Sequence, residues 1–97
     1  MKYGLSEDVV AKIKSVFAKY PQIKKVVLYG SRAKGNFRDG SDIDLSLGGD
    51  DIQFSLLQKI ELELDDLLLP YTFDLSAYSE LKSDELKEHI DRVGILL

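Results

Sequence analysis

The chain has 97 residues, of which 44% are hydrophobic and 31% charged, so it can form one small domain but has no room for a second, substrate-binding domain. Zero cysteines exclude disulfides and thiolate metal sites, and no apolar run approaches the ~18 residues of a membrane span, which favours a cytoplasmic protein. The net charge of −4 argues against a protein that grips a nucleic-acid backbone.

The first predicted element is a helix that begins after Ser6, whose hydroxyl can cap it, and that ends at Pro21. A β-branched run over residues 24–29 then predicts a strand that leads into Gly30. Residues 31–34 predict one or two helical turns. The first part of the chain therefore places a strand directly before a glycine turn.

The second part of the chain predicts two more strands and two more helices. Residues 41–47 alternate polar and apolar side chains, which is typical of a half-buried strand, and residues 50–68 carry the leucine stripe of a long helix. Residues 71–76 predict a third strand. Residues 83–93 predict a last helix, which we expect to end at Gly94 in the left-handed conformation.

The final residues, 95–97, are candidates for a short edge strand or for contact with a partner. The whole order is αβαβαβα, which predicts a small mixed β-sheet covered by helices. We therefore expect an α/β or α+β fold with two layers.

The stretch from Leu28 to Leu47 carries residues typical of a phosphate and metal site. Gly30 has no Cβ, so the backbone can approach a phosphate, and Ser31 can cap the short helix or donate to a phosphate oxygen. Asp42 and Asp44 lie two apart on a predicted strand, so their carboxylates leave the same face. Hard oxygen ligands on one face suit magnesium.

These residues also have ordinary structural explanations. Asp42 and Asp44 could form the wet face of an edge strand, although two like charges on one face repel each other. A glycine-serine pair alone could be a common strand-to-helix turn. Asp74 points away from the core if Phe73 and Leu75 point into it, but it could also be a simple edge residue.

Basic residues form a local positive patch on this acidic chain, which suits one small anionic ligand. They are Lys24, Lys25, Arg32, Lys34 and Arg38. His89, the one histidine, is expected to be a surface or boundary residue of the last helix rather than a ligand.

Gly30-Ser31, followed after ten residues by Asp42-Ile43-Asp44, resembles the signature of the nucleotidyltransferase superfamily whose core is similar to the palm of DNA polymerase beta. Gly35 and the later strand residue Asp74 occur in the order of that signature. Length and element order resemble the minimal nucleotidyltransferases, the short MNT proteins that are paired with a HEPN partner. The resemblance implies one palm-like minimal nucleotidyltransferase domain over residues 1–97.

The resemblance also implies a role for each matching residue. The catalytic carboxylates, holding two Mg²⁺ ions, would be Asp42, Asp44 and Asp74. Asp74 would also help to remove the proton from the attacking hydroxyl. The residues that bind ATP, the substrate, would be Gly30, Ser31, Arg32, Gly35 and Ser41, with Ser41 orienting the loop or the neighbouring carboxylate. Contacts of Lys34 and Arg38 with the triphosphate stay open.

The implied function is transfer of AMP from ATP to an acceptor hydroxyl with release of pyrophosphate. By resemblance, the acceptor would be a tyrosine of a HEPN ribonuclease toxin, and the chain would be the antitoxin of a type VII-like pair. The sequence shows no acceptor pocket of its own, so a partner or a homo-oligomer would complete the site. A small-molecule nucleotidyltransferase of the aminoglycoside type and a non-catalytic antitoxin are the alternatives. We expect no membrane partner and no direct binding of nucleic acid.

Overall fold

The computed structural model describes residues 2–97, which form one four-stranded sheet, four α-helices and a 3₁₀ turn. In chain order the elements are α1 (Glu7–Phe17), β1 (Ile23–Tyr29), α2 (Gly30–Lys34), β2 (Ile43–Gly49), α3 (Phe54–Asp65), β3 (Phe73–Ala77), the 3₁₀ turn (Tyr78–Glu80), α4 (Asp84–Val93) and β4 (Ile95–Leu96). The predicted order is confirmed, and β4 is the short edge strand. In this described part of the chain, none of the helices is long and apolar enough to cross a membrane.

The strands lie in the order β3-β2-β1-β4, so β2 and β1 are central. β1 runs antiparallel to both β2 and β4, whereas β2 and β3 are parallel. A parallel pair needs a long crossover connection, which α3 supplies. The predicted mixed sheet of an α/β fold is confirmed.

One face of the sheet carries the hydrophobic core. Leu28, Leu45 and Leu47 are fully buried there, under the apolar stripes of α1 and α3. The buried side chains that these helices contribute are Ile13, Val16 and Phe17 from α1 and Ile60 and Leu64 from α3. Each buried aliphatic side chain contributes about 1.5–3 kcal/mol, so this face supplies most of the stability.

The opposite face of the sheet is covered by α2 and α4. At the end of α4, a Cβ on Gly94 would lie 2.5 Å from Cγ1 of Val27 in β1, so the helix end can approach the sheet only with glycine. Gly94 has φ −60° and ψ 143°, and the predicted left-handed conformation is therefore wrong. Ile90 is the buried residue of α4.

The long helix α3 is shorter than the predicted 50–68, because a turn precedes it and another follows it. Asp51 has φ +52° and Leu68 has φ +56°, and a residue in this conformation cannot continue a right-handed helix. The side chain of Leu68 is 88% exposed, so its predicted place in the core stripe is wrong. Ile52, between the first turn and the helix, is buried instead.

Candidate active site

Three polar side chains lie side by side on the sheet face that α2 and α4 cover. Asp44 of β2 pairs with Asp74 of the parallel strand β3 and with Tyr29 of the antiparallel strand β1. Residues paired in this way project from one face, and neighbouring strands lie about 4.8 Å apart. Asp74 is exposed, Asp44 is half-buried and Tyr29 is buried. The sheet register thus brings together two of the predicted carboxylates, which a whole helix separates along the chain.

The charges around this row disfavour the ionised form of Asp44. Burial raises the pKa of Asp44, the negative charges of Asp74 and Asp42 raise it further, and the Arg32 guanidinium opposes them. Burial also raises the pKa of Tyr29, and the charges of Asp74 and Asp44 act in the same direction. A cation between the carboxylates would relieve this repulsion.

The chain turns from β1 into α2 at Gly30, directly beside Asp44. Gly30 has φ +75°, a conformation that glycine adopts without strain. A Cβ at this position would collide with Oδ2 of Asp44. Glycine therefore fits the backbone angle, and any larger residue here would push against the Asp44 carboxylate.

His89 of α4 also reaches this turn. The Gly30 N–H donates to Nε2 of His89 at 3.2 Å, and the imidazole stands edge-on to the Tyr29 ring with 6.1 Å between the ring centroids. His89 is half-buried, as expected of a boundary residue, but sequence reasoning missed its contact with the site. Its neighbours in the sequence carry no signal for this contact, because the contact depends on how α4 packs over the sheet.

The sequence placed Asp42 inside the strand over residues 41–47, and this is wrong: Asp42 lies one residue before β2, which begins at Ile43. Thr72, one residue before β3, donates its hydroxyl to Oδ1 of Asp42 at 2.5 Å, a contact that no sequence signal indicated. The Ile43 N–H donates to the Thr72 carbonyl at 2.9 Å, so Asp42 stands at the sheet end next to Asp44. Within residues 2–97, no three Asp, Glu or His side chains converge closely enough, as they stand, to hold a metal ion.

Ser31 lies inside α2 and does not cap it. The helix begins at Gly30, so its N-cap residue is Tyr29, whose side chain forms no capping hydrogen bond. The predicted capping role of Ser31 is therefore wrong. Gly35 ends α2 with φ +87°, and its N–H donates to the Ser31 carbonyl at 2.9 Å. A Cβ on Gly35 would meet no atom within 4 Å, so this turn is open to solvent.

Arg32 is buried and organises the loop between α2 and β2. Its guanidinium donates to the Ser41 carbonyl at 2.8 and 3.2 Å and to the Tyr3 carbonyl at 3.0 Å. The same group lies over the rings of Phe37 and Tyr71, at 5.2 and 4.9 Å from their centroids. A triphosphate contact, predicted from the sequence, would require the guanidinium to give up part of this arrangement.

Ser41 closes the same loop with its hydroxyl. Its Oγ accepts the Arg38 N–H at 2.8 Å, and its own N–H donates to the Arg38 carbonyl at 3.0 Å. These contacts hold the loop in a turn, and the role of Ser41 at the site stays a prediction. Lys34 and Arg38 are exposed beside it.

A groove of about 420 Å³ lies between α4 and the far part of the same sheet face. Its floor includes Ser46, which lies two residues along β2 from Asp44. The Ser46 hydroxyl is buried and has no hydrogen-bond partner among residues 2–97. Tyr78 and Asp91 line its side and are joined by a hydrogen bond of 2.9 Å from the phenol to the carboxylate. The face that carries the acids therefore also has room for a small polar ligand.

A family model described as polymerase beta, nucleotidyltransferase matches residues 11–97 of the chain. Among curated proteins, none matches the sequence with significant similarity.

Solved structures share the fold. A protein described as a minimal nucleotidyltransferase is 25% identical, with a TM-score of 0.73, and the match covers 100% of this chain and 97% of that one. A toxin–antitoxin complex with AMP-PNP gives 22% identity and a TM-score of 0.75, covering 89% of this chain and 69% of that one. A complex of tri-AMPylated Shewanella oneidensis HEPN toxin with MNT antitoxin gives 18% identity and a TM-score of 0.72, covering 95% and 71%. The two complexes are similar to this chain in fold alone.

Proposed function

We propose that this chain, which belongs to the polymerase beta nucleotidyltransferase family, transfers AMP from ATP to a hydroxyl group of another protein. Family membership makes it a nucleotidyltransferase. The observation that carries the finer proposal is the pair Asp44 and Asp74, held in register beside the Gly30 turn. In the reaction the acceptor oxygen forms a bond to the α-phosphorus, and the bond from this phosphorus to pyrophosphate breaks.

We assign Asp42, Asp44 and Asp74 to magnesium. Carboxylate oxygens are the ligands that Mg²⁺ prefers, and the raised pKa of Asp44 reflects burial and repulsion that a cation would offset. Asp42 and Asp74 are exposed, so their side chains can turn towards Asp44, and the glycine at position 30 leaves the space beside Asp44 that a Cβ would fill. Bound magnesium would neutralise the charge that develops on the phosphates in the transition state.

The phosphates would lie over the turn into α2. Gly30 and Ser31 present the first N–H groups of this helix, which have no partner within it, and Ser31 adds a hydroxyl. Gly35 keeps side chains away from the next turn. Arg32 and Ser41 support the site through the loop that they close, and the Arg32 charge favours ionised Asp44.

The acceptor hydroxyl would approach from the side of β3, which is an edge strand of the sheet. Asp74 is exposed on that strand and stands next to Asp44. An ionised carboxylate there can accept the proton that the hydroxyl loses as its oxygen attacks phosphorus.

We further propose that the acceptor is a tyrosine of a HEPN toxin and that the chain is its antitoxin. The support is the fold shared with antitoxin chains in toxin–antitoxin complexes, one of which contains an AMPylated HEPN toxin and another AMP-PNP. The exposed apolar side chains Phe54, Leu62 and Leu96 offer surface for such a partner.

Mass spectrometry of a purified HEPN toxin, incubated with this chain, ATP and Mg²⁺, tests the proposal. We expect a gain of one or more AMP units on tyrosine. The Asp42→Asn/Asp44→Asn variant should give no gain, and Asp39→Asn, an exposed charge in the neighbouring loop, should act like the wild type. Transfer by the double variant would refute the metal assignment, and absence of transfer despite MgATP binding would refute the protein acceptor.

A small hydroxylated molecule is the second candidate acceptor, and the groove beneath α4 is the observation that favours it. The groove lies on the face that carries Asp44 and Asp74, and Lys25, Tyr78 and Asp91 supply polar groups along it. Incubation of the chain with ATP labelled in the α-phosphate and a panel of aminoglycosides would reveal labelled products. Label on an aminoglycoside, lost in Asp44→Asn, would favour this acceptor.

A further inference from the structure

We propose that His89 tunes nucleotide affinity by holding the Gly30 N–H in the nucleotide-free protein, so that a phosphate must displace the imidazole from this donor. The inference rests on the proposed nucleotide site at the Gly30 turn and adds a residue from α4 to it. His89 lies far from Gly30 in the sequence and matches no part of the signature that identified the site.

The competition follows from the geometry of one hydrogen bond. Nε2 of His89 accepts the Gly30 N–H at 3.2 Å, which requires an unprotonated Nε2. A backbone amide has a single proton to donate, so a phosphate oxygen and the imidazole cannot both take it at full strength. The edge-on contact with Tyr29 keeps the ring at this position.

The charges around the turn explain why a neutral acceptor occupies it. Asp44 lies so close that a Cβ on Gly30 would collide with its carboxylate, and Asp74 stands next to Asp44. A free anion would be repelled here, whereas the uncharged imidazole is not. A triphosphate that brings its magnesium carries compensating charge, and it is the ligand we expect to displace the ring.

The rest of α4 can stay in place while the ring leaves. Ile90 is buried against the sheet, and Asp91 accepts the hydroxyl of Tyr78 in the 3₁₀ turn at 2.9 Å, so α4 has other contacts that hold it in place. Rotation of the His89 side chain therefore suffices to expose the Gly30 N–H. The exchange is local and needs no opening of the domain.

Two variants separate the acceptor from the bulk of the ring. His89→Leu keeps much of the bulk of the side chain but removes the acceptor, and we expect it to bind MgATP about three- to tenfold more tightly, the equivalent of one net hydrogen bond. His89→Gln can place its amide oxygen near the position of Nε2, and its dissociation constant should stay near the wild-type value. Glu88→Gln, an exposed neighbour on α4, is the matched control.

Isothermal titration calorimetry with MgATP gives the affinities, and the Gly30 amide resonance in ¹H–¹⁵N NMR spectra reports on the hydrogen bond. We expect this resonance to differ between free wild type and free His89→Leu and to converge when both are saturated with MgATP. Unchanged or weaker binding by His89→Leu, with MgATP binding intact in the wild type, would overturn the role of His89 alone. Absence of MgATP binding by the wild type would instead refute the proposed function, and this inference with it.

Discussion

The two faces of the sheet follow different physical rules. The face under α1 and α3 buries fully apolar side chains such as Leu28 and Leu45, and α1 alone contributes three buried residues to it. The face under α2 and α4 holds Asp44 and the hydroxyl of Ser46, which has no hydrogen-bond partner within residues 2–97, and α4 contributes one buried residue. The partly buried Asp44 carboxylate and the Ser46 hydroxyl lower the stability of the fold on the face where the chemistry is proposed. Burial of apolar side chains on the other face offsets this loss.

Neighbouring residues of β2 test this difference with the largest expected effect. Leu45→Ala should lower the free energy of unfolding by about 2–5 kcal/mol, because it removes a fully buried aliphatic side chain. Ser46→Ala, on the other face, should lower the free energy of unfolding by less than about 1 kcal/mol or raise it, because the lost hydroxyl is buried and none of the described residues forms a hydrogen bond with it. Urea unfolding followed by circular dichroism measures both, and equal losses would contradict the comparison.

Gly30 and Gly35, at the two ends of α2, form a matched pair. Gly30→Ala should destabilise the fold by about 1–3 kcal/mol and reduce MgATP binding, because a methyl group would collide with Asp44 in a conformation that alanine adopts under strain. Gly35→Ala has similar backbone strain but open space, so it should cost only that strain, about 1–2 kcal/mol, and less than Gly30→Ala. Thermal unfolding and calorimetry would decide. A smaller loss at Gly30 would show that the Asp44 side chain moves away easily.

On the apolar side, the Tyr20 hydroxyl donates to the Glu63 carboxylate and joins the end of α1 to α3. Burial, together with this bond and the Glu63 charge, raises the pKa of Tyr20 to about 12, and the bond lowers the pKa of Glu63. Tyr20→Phe should therefore lower the free energy of unfolding by about 1 kcal/mol at neutral pH.

This effect should depend on pH in two directions. A lowered pKa of Glu63 stabilises the fold above its unfolded pKa, and the gain is lost as pH falls through the folded pKa. A raised pKa of Tyr20 stabilises the fold below its unfolded value, and the gain is lost as pH rises towards 12. Unfolding of wild type and Tyr20→Phe across this range should show the difference shrinking at both ends, and a constant difference would count against the bond.

The smallest expected effect concerns Asp44 in the absence of metal. Its pKa is raised in the folded state, chiefly by burial, so its favourable contribution is present below the unfolded pKa and is lost as pH rises through the folded pKa. Asp44→Asn stays neutral, and with EDTA it should therefore gain stability relative to the wild type between pH 4 and pH 7, by less than about 1 kcal/mol. Denaturation at the two pH values tests this, and a stability difference that does not shift in favour of Asp44→Asn from pH 4 to pH 7 would contradict it.

Features that depend on local chain geometry were predictable from the sequence. The Ser6 hydroxyl accepts the Val9 N–H at 3.2 Å as the predicted cap of the first helix, and α2 ends at Lys34, where the predicted short helix over residues 31–34 also ends. Strands β1, β2 and β3 and their order along the chain followed from alternation and turn residues. Asp44 and Asp74 were predicted to share a site, and the sheet register places them side by side.

Features that depend on packing between distant segments were missed or predicted differently. His89 meets Gly30 only because α4 crosses the polar face, and Arg32 turns inwards because carbonyl groups and aromatic rings from three loops surround it. We expected glycine at position 94 because of a left-handed backbone conformation, but in the structure its lack of a Cβ allows the close contact with Val27. Such contacts leave no periodic signal in the residues that make them.

From the amino-acid order alone come the sequence of helices and strands and the glycine turn, because periodicity, capping and turn chemistry act over a few residues. The roles of the three acids stay a prediction that the sequence makes by its resemblance to a family. Only the tertiary structure decided the parallel register that sets Asp44 beside Asp74, the place of Asp42 beside Thr72 and the contact of His89 with the Gly30 turn. Register and helix docking are chosen by the burial of apolar side chains that lie far apart in the chain, and no local pattern encodes them.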